Sequence, residues 1–419
     1  MKYTLIKNAK IIDKKSKYHL KNVDLLIDSG IIKKIDDQIE PIANETEIIE
    51  GNDLHVSIGW MDLRVNFNDP GNEHKEDLLS GSLAAINGGF TAVACMGTTN
   101  PALHSKSQIE YIVNKSNTLA IHIYPVGTVT TKAEGTDLAE LYDMSLSGAI
   151  AFSDNKNPIA NAELLQRAML YASGFNKKII QIPLDKKIAN EGKMNEGKVS
   201  TSLGLKGIPA LAEELMLQRD LMLAQHHHLS IHIGGISTAG SVALIRNAKK
   251  NGIKVTCDVH AMNLLYTDDA LCDFDTNFKI LPPLRTQQDI DALIEGIMDD
   301  TIDVICSDHT PQDTESKVKE FDIAEFGITG LETFYSTLVT ALGKKIDVEK
   351  LIEKIAINPR QIFNIDVQSI NENNKVDLTV FSPTQSWQYH AEKGFSKSKN
   401  NPLDGQNLKG KVIKAMLKK

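Results

Sequence analysis

The chain contains few cysteines, and they are scattered. Only four occur among 419 residues, at Cys95, Cys257, Cys272 and Cys306, and no two of them form a CxxC pair. A secreted disulfide framework or a cysteine zinc site would require closer and more regular spacing. Three of the four lie in apolar stretches, so the sequence predicts buried free thiols.

Long apolar runs and an excess of positive charge are also missing. No run reaches the roughly 18 residues that a membrane span needs, and the opening MKYTLIKNAKIID lacks the apolar segment of a signal peptide. Forty-six Lys and Arg residues face 54 Asp and Glu residues, a net charge of −8. This balance argues against nucleic-acid or anionic-membrane partners. We expect a cytoplasmic protein.

Two kinds of pattern divide the chain. Its length exceeds the size at which one hydrophobic core stops growing, which predicts a large and a smaller domain. Between residues 58 and 365, apolar runs such as TAVACM and IDVICSD alternate with helical stretches, as is typical of a parallel β/α barrel. Near both ends, short alternating runs such as YTLIKNAKIID and KVDLTVFSP predict strands, and those at the start suggest a small antiparallel sheet.

Eight segments of the chain carry distinctive motifs. They are DLRVNFNDPGNEHKEDLLSGSLAAINGGFTAVACMGTTNP (62–101), GAIAFSD (148–154), MNEGKVSTSLGLKGIP (194–209), ISTAGSVALIRNAK (236–249), DFDTNFKILPPLRT (273–286), IDVICSDHTP (302–311), FGITGLET (326–333) and NPLDGQNLKGKV (401–412). In this order, they resemble segments of class I dihydroorotases in the cyclic amidohydrolase superfamily. One match would mean little, but eight in the family's order indicate common ancestry.

The resemblance implies a fold and a reaction. The expected fold is α/β, with a TIM-like (β/α)8 barrel of the amidohydrolase type over residues 58–365. A small β-sandwich domain is expected from both termini, residues 1–57 and 366–419. The family hydrolyses dihydroorotate to N-carbamoyl-aspartate with zinc, and a homodimer fits the family.

The first barrel strand departs from the family pattern. The family carries His-x-His there, and residues two apart on a strand project to the same side, where two imidazoles can hold a metal ion. This chain has Arg64 and Asn66 instead. An arginine stays protonated and only donates hydrogen bonds, so it adds a fixed positive charge where a cation would sit. By resemblance, the former metal positions are Arg64, Asn66, Asp154, Ile182, Gly235 and Asp308.

The former substrate positions have changed as well. The family's substrate-binding arginine corresponds to Asn68, and two of its asparagines correspond to Thr98 and Leu281. An asparagine cannot bind a carboxylate through two parallel donors as a guanidinium does. Asp308 corresponds to the family's catalytic base, which is expected to be idle without a metal-bound water to activate.

The two retained carboxylates require a positive partner. Asp154 and Asp308 would repel one another in a dry barrel mouth, so we expect Arg64 to pair with one or both of them.

A single-metal site from His232, His260 and His309 with Asp308 is the alternative. His232 lies three residues before Gly235, which places it on the opposite face of a regular strand, and His309 should diverge from its neighbour Asp308. The pattern therefore predicts that these ligands do not converge, and no metal cofactor is predicted.

Two functional hypotheses follow. In the first, the chain is a dihydroorotase-family protein of pyrimidine biosynthesis that has lost its dinuclear metal site. It would serve as a structural or regulatory partner of aspartate carbamoyltransferase, as metal-site-deficient members of the family do. In the second, it is an active dihydroorotase, or a hydrolase of another cyclic amide, with an altered site. We favour the first, because loss of four histidine ligands removes both the Lewis acid and the means of activating water.

Overall fold

The structure is a computed structural model that describes residues 3–42 and 45–417. Its strands are β1 (Tyr3–Ile12), β2 (Asn22–Asp28), β3 (Ile31–Asp36), β4 (Thr46–Ile49), β5 (His55–Ile58), β6 (Trp60–Val65), β7 (Phe90–Met96), β8 (His122–Gly127), β9 (Ala151–Phe152), β10 (Ile180–Gln181), β11 (Met194–Asn195), β12 (Gly207–Ile208), β13 (Ile231–Ile233), β14 (Val255–His260), β15 (Val304–Cys306), β16 (Leu378–Gln388) and β17 (Asn407–Met416). Its α-helices are α1 (Leu78–Asn87), α2 (Lys106–Ser116), α3 (Leu141–Leu146), α4 (Ala162–Ser173), α5 (Lys186–Ala189), α6 (Lys198–Leu203), α7 (Ala210–His226), α8 (Ala239–Lys250), α9 (Gln287–Met298), α10 (Thr314–Lys317), α11 (Phe334–Leu342), α12 (Val348–Ile352) and α13 (Asn358–Ile362).

Both ends of the chain build one seven-stranded sheet. Its order is β17-β16-β5-β1-β2-β3, with β4 also paired to β1. The sheet is mixed where the sequence suggested antiparallel pairing, because β4 and β5 both run parallel to β1. These two strands follow one another along the same edge of β1, β4 beside Tyr3–Ile6 and β5 beside Lys10–Ile12, so they share one direction.

Eight parallel strands form the predicted barrel. Two four-stranded sheets have the orders β6-β7-β8-β9 and β10-β13-β14-β15. A parallel bridge between Phe152 and Ile179 joins one pair of edges, and a second between Val65 and His309 joins the other. The sheet therefore closes on itself, and the carboxyl ends of all eight strands meet at one mouth, where barrel enzymes place their chemistry.

Side-chain caps fix where several of the surrounding helices begin. Asp77, Thr238 and Thr286 accept hydrogen bonds from the first turns of α1, α8 and α9, which satisfies backbone donors that the helix itself leaves free.

The barrel and the terminal sheet meet at Trp60, whose ring centroid lies 5.4 Å from that of Phe381. The barrel's first strand is thereby anchored on an aromatic contact with β16.

The sequence predictions about cysteines agree with the structure. Cys95, Cys257 and Cys306 are buried free thiols, and Cys272 is exposed. Within residues 3–42 and 45–417, no helix combines the length and the apolar character needed to cross a bilayer.

Candidate functional site in the barrel mouth

The positions that the family resemblance assigns to metal ligands lie at or just beyond the carboxyl ends of barrel strands. Arg64 is the second-last residue of strand β6, and Asn66 follows that strand directly. The remaining positions follow four other strands: Asp154 after β9, Ile182 after β10, Gly235 after β13 and Asp308 after β15.

Arg64 forms a completely buried ion pair with Asp258 of β14. Its Nη2 atom donates to Oδ2 of Asp258 over 3.0 Å, and neither side chain has exposed surface. His232 Nε2 lies 3.0 Å from the same carboxylate oxygen, and the backbone N–H of Gly235 donates to the other oxygen over 2.7 Å. Both oxygens of Asp258 are therefore already engaged by the protein.

The surroundings keep both partners of this pair ionised. Burial alone would raise the pKa of Asp258, but the positive charge of Arg64 and the hydrogen bond from His232 hold that pKa well below its ordinary value. Burial alone would lower the pKa of Arg64, but the negative charges of Asp258 and Asp308 raise it instead. The guanidinium is therefore a permanent cation inside the barrel.

Gly234 provides the space that the guanidinium occupies. A Cβ atom built on this residue would lie 1.7 Å from Nη2 of Arg64, far inside any possible contact distance. The next residue, Gly235, has a positive φ of 65°, and a Cβ there would lie 2.8 Å from His260 Nε2. The position of the Arg64 side chain therefore depends on a residue without a Cβ atom at position 234.

The predicted pairing of Arg64 with Asp154 or Asp308 is wrong. Arg64 extends across the barrel towards β14, whereas both carboxylates bind other groups at the rim. Asp308 Oδ2 accepts from Lys156 Nζ over 2.9 Å. Asp154 accepts from the backbone N–H groups of Val129 and Thr130 over 2.8 and 3.0 Å, and burial raises its pKa.

The placement of His232 on the opposite face of its strand is also wrong. Strand β13 ends at Ile233, and Gly235 has left-handed backbone geometry, so the alternation of a regular strand does not extend from His232 to Gly235. His232 is buried, with Nδ1 2.8 Å from Thr256 Oγ1. His309 does diverge from Asp308, since its Nε2 lies 3.4 Å from Glu76.

His260 lies between the two ion pairs. Its Nδ1 is 3.5 Å from Asp308 Oδ2, and its Nε2 is 3.8 Å from Asp258 Oδ1. Burial lowers the pKa of His260 to about 4 despite these carboxylates, so the ring is neutral near pH 7. Among the described residues, neither ring nitrogen has a hydrogen-bond partner.

The rim of the mouth holds an uncharged network. Asn155 Nδ2 donates to Asn66 Oδ1 over 2.9 Å and to Thr98 Oγ1 over 3.0 Å, and Asn66 Nδ2 donates to Thr310 Oγ1 over 3.0 Å. Asn68 donates to the backbone oxygen of Pro311 over 3.4 Å. These side-chain amides bind one another and residues at the strand ends, so part of their hydrogen-bonding capacity is already used within the protein.

Little open space is left beside Ile182, Gly235 and Leu281. Ile182, Gly235 and Leu281 line a cavity of about 10 Å³, which is close to the least that one water molecule needs. Arg285 also lines this cavity, and its Nη1 donates to Asn195 Oδ1 and to the backbone oxygen of Ile208 over 2.9 and 2.7 Å. That arginine holds the 194–208 loop against the rim.

Comparisons with known proteins place the chain. The dihydro-orotase-like family model matches residues 55–241. A dihydroorotase from Ruminiclostridium cellulolyticum is 40% identical over 409 residues, covering 97% of this chain and 95% of that protein. The chain belongs to the dihydroorotase family. A dihydroorotase from Geotalea daltonii is also 40% identical, over 407 residues, with the same two coverages.

Solved structures support the family fold. The L-hydantoinase (dihydropyrimidinase) of Arthrobacter aurescens superposes with a TM-score of 0.84 at 21% identity, covering 100% of this chain and 95% of that one. The dihydropyrimidinase of Brevibacillus agri gives 0.82 at 19% identity, covering 99% and 94%. At these identities the likeness concerns the fold alone.

Three side chains in the barrel are the nearest approach to a ligand set for the zinc that the family resemblance implies. Donor atoms of Asp258, His260 and Cys306 all lie within 4.8 Å of one another. However, both Asp258 oxygens are engaged, and the thiol of Cys306 donates to one of them over 3.3 Å. Burial raises the pKa of Cys306 well above its ordinary value, so it is a thiol and not a metal-binding thiolate. With the Arg64 cation beside them, these residues do not fit the family's dinuclear centre.

Sequence reasoning missed three residues of this site: Lys156, Gly234 and Asp258. Asp258 carried a signal, because it is the one carboxylate in the strand VTCDVH, and a charge in a buried barrel strand requires a partner. Gly234 and Lys156 carried no such signal in the sequence. Gly234 matters because it leaves room for the Arg64 side chain, and Lys156 because it pairs with Asp308.

Proposed function

We propose that this chain is a dihydroorotase-family protein that has lost its dinuclear metal site and acts in pyrimidine biosynthesis as a non-catalytic partner. One observation carries the proposal: the Arg64 guanidinium is fully buried, pairs with Asp258 at 3.0 Å, and occupies space that only a glycine at position 234 leaves open.

Electrostatics disfavours a metal ion beside the Arg64 guanidinium. Two unit charges 4 Å apart interact by about 4 kcal/mol at an effective dielectric constant of 20, so the guanidinium alone would repel a divalent cation by roughly 8 kcal/mol, before the opposite charge of its partner Asp258 is counted. Metal ligands could offset this cost, but two of the positions that the resemblance assigns to ligands hold Ile182 and Gly235, whose side chains have no donor atom. Of the two retained acids, Asp308 already binds Lys156, and Asp154 already accepts from the backbone of Val129 and Thr130.

Loss of the metal removes the chemistry that amide hydrolysis needs. A metal ion polarises the scissile carbonyl and lowers the pKa of a bound water, and a carboxylate base then has a proton to remove. Asp308 has no such water to act on, and His260, with a pKa of about 4, is a weak base. The 10 Å³ cavity beside Gly235 is also far smaller than the few hundred Å³ typical of a ligand pocket.

Aspartate carbamoyltransferase is the partner that we propose. Support comes from the family, in which metal-site-deficient members serve this enzyme, and from the intact scaffold that surrounds the altered mouth. Affinity-tagged chain expressed in its source cells should retain the transferase through a salt wash. Recovery of the tagged chain without the transferase would contradict this partnership.

An altered-site dihydroorotase is the second candidate, and the closeness of Asp258, His260 and Cys306 favours it. Metal analysis of the purified chain and an assay of dihydroorotate hydrolysis to N-carbamoyl-aspartate distinguish the two. We expect substoichiometric metal and no turnover. If the second candidate is correct, the chain will hold stoichiometric metal and turn over, and Cys306→Ser will abolish both while Cys272→Ser, at an exposed thiol, will not.

A further inference from the structure

A cavity of about 310 Å³ lies between helices α11 and α12 and the strands β16 and β17. We call it the α11 cavity. Its volume falls within the range of roughly 300–1,000 Å³ that small-molecule sites occupy. None of the residues that the family resemblance assigns to metal or substrate lines it, so it is separate from the barrel mouth.

Two irregular segments of the chain border this cavity. Helix α11 ends at Leu342, and Gly343 then turns the chain with a φ of 52° before α12 begins at Val348. On the sheet side, the register of β16 against β17 shifts within Ser382–Ser386, where Pro383 has no N–H to donate to the ladder. The turn and the shifted segment both supply lining residues.

The interior of the α11 cavity is apolar. Leu338, Leu342 and Leu351 are buried, whereas Ile346 and Val348 are partly buried against the same core. Among the described residues, no aspartate or glutamate lines the cavity. An uncovered apolar interior of this size favours a ligand with an apolar part.

Three hydrogen-bond donors in the lining are unused. Lys344 and Lys409 are exposed, and neither ammonium group pairs with a described residue. Tyr335 is 3% exposed, and its hydroxyl has no hydrogen-bond partner among the described residues. Burial and the nearby charge of Asp53 raise the pKa of Tyr335, so it stays a hydroxyl.

The charges around the cavity leave an excess of one positive charge. Asp53 accepts from the lining residue Thr384 over 3.0 Å, and it offsets one of the two lining lysines. In the turn between the helices, the exposed Lys345 and Asp347 balance one another. A carboxylate would therefore be attracted to the entrance, and an ammonium group would be repelled.

We propose that the α11 cavity binds a monocarboxylate with an apolar tail, of the kind that a medium-chain fatty acid represents. The tail packs against Leu338, Leu342 and Leu351, and the carboxylate lies at the entrance near Lys344 and Lys409. This site does not depend on the function proposed for the barrel mouth. Because the ligand contacts both the helices and the terminal sheet, binding stabilises the junction between them.

Calorimetric titration of the full chain at low salt tests the charge preference. Octanoate and octylammonium carry the same tail with opposite head groups, and we expect octanoate to bind about tenfold more tightly. Lys344→Gln/Lys409→Gln should reduce this preference to less than about threefold. Lys345→Gln is the matched control, since that lysine is exposed beside Lys344 but does not line the cavity, and it should leave the preference nearly unchanged.

A filled cavity tests the location. Ile346→Trp should weaken octanoate binding by tenfold or more, whereas Leu146→Trp, at a residue 69% exposed on α3, should not. Circular dichroism should show all variants folded, because the changed side chains are exposed or only partly buried. A wild-type chain that does not bind octanoate would overturn the proposal. Equal affinity for the two ligands, a preference that survives loss of both lysines, or binding that survives Ile346→Trp would overturn it too.

Discussion

The barrel mouth contains two ion pairs that differ in depth, Arg64–Asp258 and Lys156–Asp308. Their N–O distances are nearly equal, 3.0 and 2.9 Å. The first pair has no exposed side-chain surface, whereas the Lys156 side chain is 20% exposed. Water can replace a partner lost at the rim but not one lost in the interior. The deep pair should therefore contribute more to the free energy of unfolding than the rim pair.

Arg64→Met should have the largest effect on stability. It leaves the Asp258 carboxylate buried without its cation, which typically costs 3–5 kcal/mol. Urea denaturation measures the loss, and Arg64→Met/Asp258→Leu should recover most of it, because no unpaired charge then remains. A loss below about 1 kcal/mol for the single variant would show that the two pairs do not differ as depth predicts.

His260 joins the two pairs and should make stability depend on pH. Its folded pKa of about 4 lies below the ordinary 6.5, so the unfolded chain takes up the proton first as pH falls. The associated stability is complete above pH 6.5 and is lost as pH falls to 4, on the order of 3 kcal/mol in all. Asp258, whose pKa is lowered, loses its contribution only below its ordinary value of 3.8.

The difference between wild type and His260→Gln measures this contribution. Asp62, whose pKa burial raises to about 6, titrates in the same window with the opposite sign, because its contribution is lost as pH rises from 3.8. A single stability profile would mix the two effects. Parallel profiles for wild type and His260→Gln between pH 6.5 and 4 would contradict the assignment.

Gly234→Ala should destabilise the protein through contact with Arg64, beyond the usual effect of replacing a glycine. The added Cβ would meet Arg64 Nη2 at 1.7 Å, and overpacking of this kind costs about 1–3 kcal/mol. In an Arg64→Met background the penalty should shrink, since the guanidinium is gone. Gly51→Ala is the control, because its nearest neighbour would lie at 3.4 Å. Equal penalties with and without Arg64 would argue against coupling.

The fold was more predictable than the contacts within the site. The alternation of apolar strands with helices is written along the chain, so the β/α barrel could be predicted. The departure of Arg64 and Asn66 from the His-x-His pattern that the family resemblance implies could also be seen in the sequence. The partner of Arg64 could not, because candidate carboxylates lie on several strands and the path of a long side chain across the barrel decides between them.

Backbone irregularity explains the second failure. The opposite-face prediction for His232 assumed that a regular strand continues to Gly235, whereas β13 ends at Ile233 and Gly235 has a φ of 65°. Glycine permits this conformation at little cost, but the sequence does not show which glycine adopts it. Alternation patterns are therefore reliable within strands and fail at their carboxyl ends, where the site lies.

Lys156→Met should have the smallest effect, and salt should distinguish it from the deep variant. We expect a loss of about 1–2 kcal/mol, because Asp308 keeps access to water through the partly exposed position of Lys156. The screening length falls from about 10 Å at 0.1 M salt to about 3 Å at 1 M, so the loss should shrink in urea titrations at 1 M KCl. The Arg64→Met loss should not change, because the Asp258 pair is closed to ions. A salt-independent Lys156→Met loss as large as that of Arg64→Met would place both pairs in the core.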